Sequence, residues 1–478
     1  MSPVMSVNED RNKLLKNSAL MFVGQFASKI LVFFLVPFYT SVLTTEEYGI
    51  SDLLVTTSNL AYPFFTFMIS TAILRFCLEK KDDPYIVFST GLWIELAGNT
   101  LLVIGSFIFF PYILDKAYLP YFLLYYFFSA IDALLLNFLR GINDVKLYSI
   151  AGVLQTILLI SSNLILLLVV KLGLIGYLVS MIISLAIVDI FVIMKTGIIR
   201  KIIPPWAVKK DLAVQMLKYC CPLIPNQMNW WINDSSDRYI MKMYRSTSEL
   251  GIYSVSYKIP ALMSSTMNIF TGAWEISAID DFGTEKNRSF FSETYEQYLN
   301  FLVVISSLIL VFLHPIASLL LKKDFYAAWY FVPALLYATL FHGLSGFIGT
   351  IFTTAKKTNI IFYTTVFGAI TNIGLNFLLI PEYGAQGAAI ATAIGYIVTF
   401  LSRLILSRKI MILKLHYAAD IVSLILLLAA CVLACINTLA SILVCLVILI
   451  CKYRFVIKMA KMVFEAFRKF FENKKHRT

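Results

Sequence analysis

Three basic residues fall inside stretches that are otherwise apolar: Lys29, Arg238 and Lys258. An unpaired Lys or Arg at the middle of a bilayer costs at least roughly 2.5–3.5 kcal/mol on insertion scales, so a cation kept there has a task, either to hold an anionic group or to pair with an acid. Lys29 sits near the middle of its stretch, too far from either end to snorkel, and is the first candidate for contact with an anion. Arg238 follows Asp234 by four residues and Asp237 by one, which leaves an Asp–Arg pair on one helix face as the competing reading. Lys258 lies about two turns from the end of its stretch, within reach of the membrane surface. Arg75 closes another stretch, and reads as a surface anchor or as a group that meets an entering headgroup.

The acids divide by depth. Glu95, Asp132 and Asp189 fall in one half of their stretches, and Asp52, Asp234 and Asp237 in the other. Carboxylates so placed carry coupling protons or sodium ions in some proteins and form structural salt bridges in others, so Asp132, Glu95, Asp237 and Asp52 stand as ion-coupling candidates with the salt bridge as the competing reading. Gln25, Gln227, Asn229, Trp230, Trp231, Asn233, Tyr253 and Tyr257 suit a sugar, because aromatic faces stack on apolar sugar faces and amides bond hydroxyls. Trp and Tyr also belt membrane interfaces, which is their plainer role. Bond-making chemistry has no foothold: the chain lacks GxxxxGK[ST], GxSxG and HExxH and has only 4 His. That pattern excludes a self-contained ATP-driven pump and most hydrolases. The 7 Cys show neither metal nor disulfide spacing, and no cofactor is expected.

The elements that position these residues are helices in a bilayer. The 478 residues are 59% hydrophobic and 14% charged, with a mean hydropathy of +0.80, and no soluble domain could solvate that much apolar surface. A span needs about 20 largely apolar residues that satisfy their own backbone bonds. Such stretches fall near 17–43, 50–75, 86–114, 118–139, 147–170, 173–194, 213–244, 250–274, 298–321, 330–353, 359–380, 385–406, 420–437 and 439–455. The first is too long for a cleavable leader and carries no small-residue cleavage site.

The chain is also built twice. LTTEEYGISDLL from Leu43 returns as STSELGIYSVSY from Ser246, and KLGLIGYLVS from Lys171 returns as EYGAQGAAIA from Glu382. Gly49 and Gly251 lie about 202 positions apart, Gly173 and Gly384 about 211, and Gly176 and Gly387 about 211. One nearly constant shift maps 17 to about 200 onto 213 to about 408, the duplication from which secondary transporters commonly arise. The expected fold is an all-α polytopic membrane protein of about 14 transmembrane helices. It comprises a six-helix bundle over 1–200, a pseudo-symmetric second one over 201–412, a helix pair over 413–455, and an amphipathic tail over 456–478.

With a cytoplasmic N-terminus, the inner loops and tails hold about 31 of the 40 Lys and Arg and the outer loops about six, so both termini are expected to be cytoplasmic. The net charge of +12 then faces anionic membrane lipids, and scattered over short loops it does not indicate nucleic acid. Pro37, Pro63, Pro222, Pro225 and Pro260 lie within or near the ends of spans one, two, seven and eight, where an interior proline permits a kink. His314 and His342 read as helix-packing residues.

Several segments together resemble one family. They are EEYG (Glu46 to Gly49), FLRGINDVKLYSI (Phe138 to Ile150), CPLIPNQMNWWINDSSDRYIM (Cys221 to Met241), LGIYSVSYKIP (Leu250 to Pro260) and YGAQGAAIATAIGY (Tyr383 to Tyr396). In this order they resemble the polysaccharide transporters, O-antigen and capsule-unit flippases, of the multidrug, oligosaccharidyl-lipid and polysaccharide exporter superfamily. The resemblance implies a flippase that moves a polyprenyl-pyrophosphate-linked oligosaccharide from the inner to the outer leaflet of the bacterial cytoplasmic membrane, by alternating access through a cationic central cavity lined by spans 1, 2, 7 and 8. Its substrate contacts would be Lys29, Arg238, Lys258, Arg75, Gln25, Gln227, Asn229, Trp231 and Tyr257. A coupling H+ or Na+ and the polysaccharide polymerase and chain-length machinery are candidate partners. A multidrug cation antiporter of the same superfamily would prefer an acidic cavity, against which Lys29 and Lys258 argue. An enzyme or assembly protein of the polysaccharide pathway would need a large outer loop, and none exceeds roughly a dozen residues.

Overall fold

Helices account for every long element of the described residues, and no strand occurs among them. The structure, a computed structural model, describes residues 33–279, 285–413 and 415–457. Lys29, Gln25 and the tail beyond 457 lie outside them. The chain divides into two compact units, Met1–Gly251 and Ile252–Thr478.

In the first unit, α1 (Val36–Val42) carries Pro37 in its first turn, where the missing N–H is harmless. A capping box then starts α2 (Thr45–Phe65): the Thr44 hydroxyl accepts from Glu47 N–H, and the Glu47 carboxylate accepts from Thr44 N–H at 2.8 Å. Span two is not one helix. Phe67 and Met68 adopt left-handed backbone, with φ of 52° and 57°, and the chain resumes as α3 (Ile69–Glu79) after a 53° bend. Pro63 deprives the preceding turn of a donor, and Thr66 stitches the break: its hydroxyl donates to Tyr62 O and accepts from Met68 N–H.

Four apolar helices follow this bent pair: α4 (Pro84–Phe109), α5 (Leu119–Gly141), α6 (Val145–Asn163, continued by a π turn to Val169) and α7 (Gly173–Thr196). α3 packs against α4 and α5, and Ile69, Ile73, Cys77, Phe88, Phe138 and Val188 belong to one buried core. Span seven is also divided, into α8 (Lys210–Cys220) and α9 (Leu223–Tyr244). The continuous helix expected over 213–244 is thus corrected: Pro222, at the N-cap of α9, lacks the donor that would carry the helix through.

α10 (Thr247–Ser256) runs across the unit boundary and stops before Pro260, which opens α11 (Pro260–Ile279) in place of an unbroken span eight. Of the five prolines, Pro63 alone lies in a helix interior; the others mark helix starts. The second unit continues with α12 (Glu285–Val311), α13 (Leu313–Leu320), α14 (Val332–Thr354) and α15 (Thr358–Ser407). The 50 residues of α15 would reach about 75 Å at 1.5 Å each, more than twice a bilayer core. Gly384 breaks it, with φ 56° and ψ −135°, a left-handed conformation that only glycine adopts without strain, so α15 is two spans joined at a turn. α16 (Tyr417–Ile436) and α17 (Thr438–Cys451) close the chain as a pair, tied where Ser441 donates to Ala430 O at 2.8 Å.

Eight helices among the described residues are long and apolar enough to span, nine with the bent pair α2–α3. The expected count of fourteen is not reproduced by that criterion. α15 counts once though it is two spans, and α9 does not qualify because its Asn, Asp, Arg and Lys side chains lower its hydropathy.

Candidate functional site

The EEYG and SELG segments at the starts of α2 and α10 explain the repeated motif physically. Gly49 has no room for a side chain: a Cβ there would collide with Thr247 O and lie 3.0 Å from Gly251 N. A Cβ on Gly251 would collide with Thr45 O, and the Thr45 and Ser248 hydroxyls share a hydrogen bond of 2.6 Å. The two helix starts therefore touch backbone to backbone. Glu47 has a second duty besides its cap, because its Oε1 accepts from Leu174 N–H at 3.2 Å at the start of α7.

One turn and more along α2 stands the first unit's charged cluster. Asp52 accepts from Arg238 Nε at 2.7 Å, and Asp237 accepts from Arg238 Nη1 at 3.2 Å. Arg238 also donates from Nη1 to the backbone carbonyl of Asp234 at 2.6 Å. Beside the same-helix acids expected at Arg238, Asp52, 186 residues away, supplies a carboxylate, and Asp234 contributes its carbonyl. Asp237 is 1% exposed, whereas the Asp52 side chain is 24% exposed. Asp52 is thus the more accessible of the two carboxylates.

Below this pair, α9 leans on α2 through polar contacts. Tyr239 OH and Thr57 Oγ1 lie 2.8 Å apart, and Trp231 Nε1 donates to Thr56 O at 3.2 Å. The Trp231 and Tyr239 rings meet edge to face, with centroids 5.5 Å apart. Asn233, buried, donates from Nδ2 to Asn229 O at 2.9 Å, and Asn229 Nδ2 has no hydrogen-bond partner among the described residues. Gln227 is exposed on the same helix. Arg75 is exposed on α3 and pairs with Glu79 at 2.8 Å, apart from the cluster.

The remaining acid candidates occupy a different part of the first unit. Glu95 is fully buried, and neither carboxylate oxygen has a hydrogen-bond partner among the described residues. The same holds for Asp189, 2% exposed, and for Oδ1 of Asp132. Asn99, one turn beyond Glu95, and Tyr126, 1% exposed, also have unpartnered polar atoms. Sequence reasoning did not single out Asn99 or Tyr126, which look like ordinary span residues until packing leaves them unanswered.

In the second unit, Tyr253 and Tyr257 share a hydroxyl hydrogen bond of 2.9 Å, and Lys258 lies half-buried in the turn before Pro260. Arg403 was missed. It is 2% exposed, and donates to Ser345 O at 2.8 Å, Thr364 Oγ1 at 3.2 Å and Thr365 Oγ1 at 2.9 Å. The signal was present, an arginine inside the stretch 385–406, but nearness to its end disguised it as an anchor. His314 packs as expected, against Tyr326, Thr438 and Trp329.

Comparison with known proteins fits this framework. Residues 14–274 match the family described as polysaccharide biosynthesis protein. Among solved structures, the lipid II flippase MurJ in an inward closed conformation superposes with a TM-score of 0.68 at 18% identity, over 92% of this chain and 100% of its own. An inward-facing multidrug resistance MATE family transporter of the MOP superfamily superposes with a TM-score of 0.63 at 15% identity, over 80% of this chain and 94% of its own. An outward-facing one reaches 0.58 at 15% identity, over 83% and 94%. At these identities the likeness shows the fold, a multi-pass fold found in transporters and flippases. A comparison with curated proteins finds no match.

Proposed function

The chain belongs to the polysaccharide biosynthesis protein family, and from that membership we propose that it is a flippase of polyprenyl-pyrophosphate-linked oligosaccharide. It moves each unit from the inner to the outer leaflet of the bacterial cytoplasmic membrane, with both termini cytoplasmic, for O-antigen, capsule or a related surface polysaccharide. The observation that carries this reading is Arg238: a guanidinium kept inside the apolar first unit, on a helix that also carries Asn229, Trp231 and Asn233 and is too polar to be a plain membrane anchor. A pyrophosphate must shed water to cross about 30 Å of hydrocarbon, and a guanidinium fork replaces that hydration well.

In this reading Asp52 and Asp237 occupy Arg238 until substrate arrives, and the pyrophosphate displaces Asp52. A proton or sodium ion reaching Asp52 weakens the pair and frees Arg238, which links the acid to a coupling gradient. Asn229, Trp231, Gln227 and Tyr257 serve the glycan, while Lys29, Lys258 and Arg75 serve the anion along its path. The product passes to the polymerase and chain-length machinery.

The test is depletion in the host, with mass spectrometry of polyprenyl-linked oligosaccharides beside an assay of surface polysaccharide. Accumulation of a complete lipid-linked unit with loss of surface polymer is expected. A second reading, the multidrug cation antiporter, is favoured by the unpartnered carboxylates of Glu95 and Asp189. Normal lipid-linked pools with new sensitivity to cationic drugs would select it.

A further inference from the structure

The first unit has a groove of about 250 Å³ between α2, α4 and α5. Its floor is Phe110 and Phe122, each 2% exposed, with ring centroids 5.0 Å apart. Its rims are Phe64, 46% exposed, and Phe109, 66% exposed, so the groove opens sideways from the unit rather than into its core. Two hydroxyl-bearing residues line it, and both turn their hydroxyls away: Ser106 donates to Val103 O at 2.8 Å, and Thr57 donates to Leu53 O at 2.7 Å and meets Tyr239 OH. What faces the hollow is hydrocarbon. Gly105 gives it depth, since a Cβ there would meet nothing nearer than Phe109 Cδ2 at 4.0 Å.

Thr57 connects this hollow to the charged cluster. One side of the residue lines the groove, and its hydroxyl reaches Tyr239, the neighbour in sequence of Arg238. A molecule whose anionic head is held at Arg238 would have an apolar seat for its chain on the side of α2 where Thr57 lines the groove. We propose that the groove seats the isoprenoid chain of the transported lipid while its head is at Arg238, an inference that rests on the flippase reading above. The aromatic walls suit a methyl-branched, unsaturated chain, which packs its methyl groups against ring faces.

The experiment uses the full-length protein in phosphatidylcholine vesicles with a diazirine-bearing polyprenyl phosphate, irradiated and mapped by mass spectrometry. Label is expected in 57–65 and 102–113, competed by unlabelled polyprenyl pyrophosphate and not by phosphatidylglycerol. Gly105→Phe, which fills the groove without a clash at Cβ, should cut that label at least roughly fivefold. Gly152→Phe on α6, where an added Cβ also meets nothing within 4 Å, should leave it unchanged. Equal competition by phosphatidylglycerol would make the groove a general lipid seat and overturn the proposal, as would label that Gly105→Phe does not reduce. A groove labelled and competed as expected, in vesicles that move no lipid-linked oligosaccharide, would sink the flippase reading and leave the isoprenoid seat standing. Transport with no label in the groove would remove the seat alone.

Discussion

Arg238 in the first unit and Arg403 in the second are both at least nine-tenths covered, yet Arg238 meets two carboxylates and Arg403 meets a carbonyl and two hydroxyls among the described residues. Burying a guanidinium costs several kcal/mol whichever way it is answered, so the difference lies in what each arrangement can do next. A carboxylate partner neutralises the charge and can be exchanged for another anion. Neutral oxygens solvate the charge and, in doing so, fasten whatever carries them. Arg403 joins α14, the first half of α15 and its own second half, and so holds the bent helix closed on itself. Gly349 makes room for it, since a Cβ there would lie 3.1 Å from Arg403 Nη1. We read Arg238 as a working group and Arg403 as a staple.

The largest effect should come from Arg238→Ala, which takes a guanidinium away from the buried Asp237 carboxylate. A loss of about 3–5 kcal/mol is expected in thermal unfolding of the detergent-purified protein, together with loss of transport. Asp52→Asn separates the two consequences, because the more exposed partner is neutralised without a change of shape. Transport should fall at least roughly tenfold while unfolding shifts by less than about 1.5 kcal/mol. Arg403→Met gives the opposite signature: about 2 kcal/mol of stability lost, with transport per folded molecule retained. If Arg403→Met abolished transport in a fully folded protein, the contrast between the two arginines would collapse. Gly251→Val forces α10 off α2 and should cost about 2 kcal/mol, again read by unfolding. Glu47→Ala removes one cap and one bond to α7, for about 1 kcal/mol.

Hydropathy made the apolar helices legible, and a nearly constant offset between glycines gave the expectation of a duplication. The structure adds why those glycines stand where they do: Gly49 and Gly251 touch, and Gly384 turns α15 back. The breaks were less visible. Phe67 and Met68 carry no turn signal, since left-handed backbone at such residues is imposed by tertiary packing rather than preferred locally. Pro222 and Pro260 were visible, yet read as kinks within spans where they begin new helices. The site was legible in kind and not in pairing. Helical spacing placed acids of α9 beside Arg238, and Asp237 does meet it, but the Asp52 carboxylate that also answers the guanidinium comes from α2, where sequence spacing could not point. Arg403 was overlooked because a basic residue near a span end has an ordinary explanation in the positive-inside bias.

The most direct test reconstitutes the protein in vesicles that carry a fluorescent lipid-linked oligosaccharide and a pH-sensitive cationic dye, and follows the movement of both. Movement of the oligosaccharide between leaflets, lost in Arg238→Ala and slowed in Asp52→Asn, with the dye left in place, is the expected result. An oligosaccharide that stays in its leaflet while the dye is carried across would contradict the flippase reading and make this chain an antiporter.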